Sequence, residues 1–62
     1  MSIRPQLSSV STAVVELTDR VAQLAESASG AQREDVAAAL FEIERSLQTA
    51  SRRLEQLLND LR

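Results

Sequence analysis

The groups in this chain with chemical potential are its seven arginines and nine carboxylates; it contains no His, Cys, Lys, Trp or Tyr. Serine is plentiful, but without His, Lys or Cys it has no ordinary base to activate it as a nucleophile. Thiolate and imidazole metal ligation are absent for the same reason. Acid–base work would fall to carboxylates alone. Glu42 and Glu44 lie two residues apart and so point in different directions on a helix. Glu34 and Asp35 are better explained as complements to a helix dipole. A carboxylate site for a hard cation needs several acids converging, and no helical face supplies them. The residues therefore predict no enzyme, no metal and no cofactor.

One constellation stands apart. Arg52, Gln56 and Asp60 follow at four-residue spacing with Arg53 beside them, which sets a guanidinium, an amide and a carboxylate along one side of a helix. Arg can grip a phosphate or a base edge, and the acid can accept from ring nitrogens. The spacing resembles part of the motif of helical-hairpin anti-sigma factors that sense cyclic-di-GMP. Arg52, Gln56 and Asp60 carry the match; Thr49 stands where that family has Ser, Arg45 where it has an acid, and the first half of the chain has no counterpart. The resemblance implies, as an alternative function, a ligand-responsive regulator binding an anionic nucleotide on this surface. From the residues alone the run reads as a solvated polar face, with Arg52 and Gln56 an ordinary i, i+4 neighbour pair. The sequence favours that plainer reading.

The elements that would position these groups are two helices. Pro5 and Gly30 are the only Pro and the only Gly. Pro suits a first helical turn, and Gly suits the left-handed residue just past a helix end. Ser29 and Gln32 also have the spacing of a capping box for a second helix. The boundaries predicted are helix 1 at about 5–28, a turn at about 27–32 and helix 2 at about 32–61, together one domain over residues 1–62.

Apolar residues recur in alternating steps of four and three. They run Ile3, Leu7, Val10, Val14, Leu17, Val21, Leu24, Ala28, and again Val36, Leu40, Ile43, Leu47, Ala50, Leu54, Leu57, Leu61. These are the a and d positions of a heptad, a spacing no strand produces. In helix 1 the a row is Leu7, Val14, Val21 and Ala28 and the d row Ile3, Val10, Leu17 and Leu24. In helix 2 the a row is Leu40, Leu47, Leu54 and Leu61 and the d row Val36, Ile43, Ala50 and Leu57. The fold class expected is all-α: an antiparallel hairpin with an a/d seam, Leu24 near Val36 and Leu17 near Ile43. With so short a chain burying little core, assembly into a homodimeric four-helix bundle is expected.

The surfaces then decide partners. Beside the seam, the e and b rows of helix 1 are small and uncharged, while the g and c rows carry charges of both signs. An uncharged flank of small residues avoids desolvating ions on contact. The expected association interface is Ser11, Val15, Thr18, Ala22, Ala25, Ala37, Phe41 and Leu58, meeting a second copy or another helical protein. Net charge is −2 with no basic block and one aromatic, Phe41, which argues against direct nucleic-acid binding. No apolar run reaches the ~20 residues of a membrane span, and no signal-peptide pattern opens the chain. A cytoplasmic protein acting through association is the expectation.

Overall fold

A computed structural model describes residues 2–61. It contains two helices, α1 (Arg4–Gly30) and α2 (Glu34–Asp60), packed along their length as an antiparallel hairpin. Each has 27 residues, about 40 Å at 1.5 Å per residue. Of the domain expected over 1–62, Met1 and Arg62 lie outside the described residues.

Both helices begin where local chemistry permits. Pro5 sits in the first turn of α1, and the Leu7 N–H already bonds the Ile3 carbonyl at 2.9 Å. Glu34 and Asp35 occupy the first turn of α2, where negative charge meets the positive end of the helix dipole. At the open end of the hairpin the Arg4 guanidinium donates to the Leu58 carbonyl. A cation from α1 thereby adds a bond to a carbonyl in the last turn of α2, which also accepts from the Leu61 N–H at 3.3 Å.

The turn differs from the expected one. Gly30 remains helical, and the left-handed residue is Gln32, with φ 61°. Arg33 N–H bonds Ala28 O at 2.8 Å and Gln32 N–H bonds Ser29 O at 3.0 Å. That pair of bonds is a Schellman motif, displaced two residues past the glycine. The capping box does not form either. Ser29 lies within α1, the N-cap of α2 is Arg33 without a side-chain bond, and the Ser29 hydroxyl donates to Glu34 Oε1 at 3.3 Å across the turn.

The cross-turn bond and the Arg4–Leu58 bond fix the register at both ends. Residues at equal height have numbers summing to about 62, two more than the expected Leu24–Val36 pairing. Ala25 thus lies level with Ala37, Thr18 with Glu44, and Ser11 with Ser51.

The seam is rotated as well. The most buried residues are Ser11, Val21, Ala25 and Ala37, with Leu7, Val14, Thr18 and Ala28 half-buried on α1 and Leu40, Glu44, Leu47, Ser51, Leu54 and Leu58 on α2. These are the a and e rows. The hairpin closes on a/e, and the a/d seam expected from periodicity is corrected. The cause is steric. Small residues let two helix axes approach closely, and the e rows supply Ser11, Ala25, Ala37 and Ser51 where the d rows supply mostly Leu and Ile. The Cα envelope measures 48 × 14 × 12 Å. The 12 Å thickness matches helices of this length crossing at roughly 20°.

Candidate association surface

Turning both helices by about one heptad position moves the d rows out of the seam. In an antiparallel pair viewed down its axis, corresponding rows of the two helices fall on the same side. The d rows of α1 and α2 therefore share one broad face, and the b rows share the opposite one. Ile3, Val10, Leu17 and Leu24 from α1 and Ile43 and Leu57 from α2 are between 44% and 58% exposed. Val36 is half-buried and Ala50 exposed on the same face. Single exposed apolar residues are ordinary; a contiguous face of six large ones is not.

The opposite face holds much of the expected interface, which the hairpin splits. Ser11, Ala25 and Ala37 are buried between the two helices of one chain, and Thr18, Ala22 and Leu58 are half-buried there. Val15 and Phe41 stay exposed. Around Val15 the face is polar, forming a shallow hollow lined by Thr18, Asp19, Gln48, Ser51, Arg52 and Glu55. The Thr18 hydroxyl is turned inward to Val14 O at 2.7 Å, and Gln48 donates to Glu44 at 3.5 Å. Val15 and Phe41 are thus the two large apolar residues left exposed on this otherwise polar face.

The candidate ligand surface lies on the outer side of α2. Arg52 and Gln56 line an open depression with Thr49, Arg53, Glu55 and Asn59; Asp60 does not line it. Arg52 donates to the Thr49 hydroxyl at 3.5 Å, and all of these side chains are exposed. Two of the three predicted groups are brought together and the third is not. Among the described residues no set of His, Cys, Asp or Glu converges as a metal site, and no helix is long and apolar enough to cross a membrane.

Sequence reasoning missed the d rows as an outward surface. The signal was present in residue size. A seam selects the smaller flank, and the e rows at Ser11, Ala25, Ala37 and Ser51 are smaller than the d rows they displace.

No protein-family description, curated protein or solved structure matches the chain.

Proposed function

We propose that this chain is a non-catalytic association module, a cytoplasmic helical hairpin that acts as scaffold, adaptor or small regulator by docking its d face on a helical partner. One observation carries the reading. Among the described residues no large side chain is fully buried, while six on one face expose about half their surface. Covering half of six such side chains is worth on the order of 5–9 kcal/mol, taking roughly 1.5–3 kcal/mol for full burial of each. That equals much of the stability a small domain has in total. A chain whose only buried residues among those described are Ser11, Val21, Ala25 and Ala37 has much to gain by covering this face.

Native molar mass across a dilution series, with circular dichroism on the same samples, tests the reading. The mass is taken by light scattering with refractive-index detection, since the chain has neither Trp nor Tyr. The expected result is helicity that falls with the assembled fraction. A monomer that stays fully helical and melts cooperatively at every concentration would sink the proposal, because the face would then need no cover.

A further inference from the structure

We infer that the occupant of the d face is a second copy of this chain, docked about a twofold axis parallel to the helices so that both turns lie at one end. This rests on the association reading above and adds partner and orientation to it.

The area points to a partner of this size. A compact folded monomer of 6.8 kDa exposes about 4,000 Å² by the usual mass scaling. This chain exposes 4783 Å². The excess, roughly 800 Å² over this elongated surface, is as large as the area each partner of a standard stable interface contributes.

Orientation follows from the rows flanking the face. With the axis parallel to the helices, α1 lies over the partner's α2 at the same height as over its own. The register sum of about 62 then holds across the interface too. Arg20 of one copy comes level with Glu42 of the other, twice per dimer, and no like charges meet. Within one chain these two residues sit on opposite outer edges, and the only ion pair among the described residues is Arg33–Asp35 at 3.7 Å. The reverse arrangement, turns at opposite ends, lays α1 on its own copy. Full overlap then places the axis near the middle of α1, where Glu16 meets a second Glu16, and Arg53 comes level with the partner's Ala39, about three residues from the partner's Glu42. Exposed pairs add little affinity, but like-charge contact discriminates orientation.

The test is a nitroxide on Ala31→Cys, a turn position that is exposed in a chain otherwise free of Cys, read by pulsed dipolar spectroscopy with molar mass on the same sample. A dimer mass with a label separation of roughly 20–30 Å, allowing for helices 8–10 Å apart and the label arms, is the expected result. A dimer mass with a separation near the 48 Å long axis would overturn the orientation and leave the association reading standing. A poorly helical monomer without dipolar signal would overturn the second copy and leave a different helical partner. A fully helical monomer would overturn both.

Discussion

Replacing Leu24 by Gln separates a free face from a covered one. Leu24 is 58% exposed in the hairpin. If the hairpin functions uncovered, the change is a surface substitution and shifts stability by no more than about 0.5 kcal/mol. If the face is covered, the remaining three-fifths of the side chain enters the interface. At roughly 1.5–3 kcal/mol for a whole Leu, that portion is worth about 1–1.7 kcal/mol, and twice that in a twofold dimer. The dimer Kd should then rise about 30- to 300-fold, at about 1.4 kcal/mol per decade, before any cost of burying the amide. The control is Phe41→Gln on the opposite face, where Phe41 is 43% exposed and the assembly equilibrium should move by less than about threefold. Sedimentation equilibrium with parallel circular dichroism reads both. The reasoning is refuted if Leu24→Gln assembles like the parent while Phe41→Gln dissociates, since the working face would then be the b side.

Four further outcomes follow from the same geometry. Gly30→Ala should raise stability by about 0.5–1 kcal/mol, because Gly30 is helical with nothing within 4 Å of an added Cβ; a loss in thermal melting would show that the glycine is left-handed after all. Gln32→Gly should stabilise by up to about 1 kcal/mol, relief of a left-handed Gln (roughly 1–2 kcal/mol) exceeding the added freedom of the unfolded chain, measured by urea titration. Ser11→Leu should cost about 1–3 kcal/mol by overpacking a seam residue only 8% exposed, whereas an e row lying on a free flank would accept the larger side chain without loss. A cyclic dinucleotide should leave the melting temperature unchanged, because Arg52, Gln56 and Asp60 are exposed and Asp60 stands off the depression the other two line; a concentration-dependent rise would revive the ligand-responsive alternative.

The two helices and the break between them were legible in the spacing of Ile3 through Ala28 and Val36 through Leu61, because periodicity near 3.5 residues has one structural meaning. The location of the turn was legible to within a few residues, but its chemistry was not. Gly30 could serve either as a left-handed cap or as a late helical residue, and intrinsic preference favours the first. The second prevails because extending α1 two residues brings Ala25 level with Ala37 and Ser11 level with Ser51. Register set by packing overrode local preference at a single glycine, and Gln32 takes the strained conformation in its place. The expected flank was also not free throughout, since Ser11, Ala25 and Ala37 are buried between the two helices of the chain itself.

Division of labour among rows explains why a heptad assignment and the structure disagree here. A two-stranded coil needs two apolar rows, a and d, and leaves e for charge. A bundle helix needs three, since it touches one neighbour on each side and the shared centre between them. Here the a and e rows together form the seam with the chain's own second helix, with Ser11, Ala25, Ala37 and Ser51 of the e rows allowing close approach; in the proposed assembly the a row would also border the shared centre. The d rows, larger and still half-exposed, are the ones a neighbour would cover in the proposed assembly. The side on which a third row grows small therefore tells which contact is intramolecular. If Ser11 and Ala25 were exchanged for Leu while Leu17 and Leu24 became Ala, close approach should favour a/d within the chain. The associating face should then move to the e/b side, detectable as assembly that becomes sensitive to Phe41→Gln and loses its sensitivity at position 24. Unchanged sensitivities in that background would show that residue size does not select the seam.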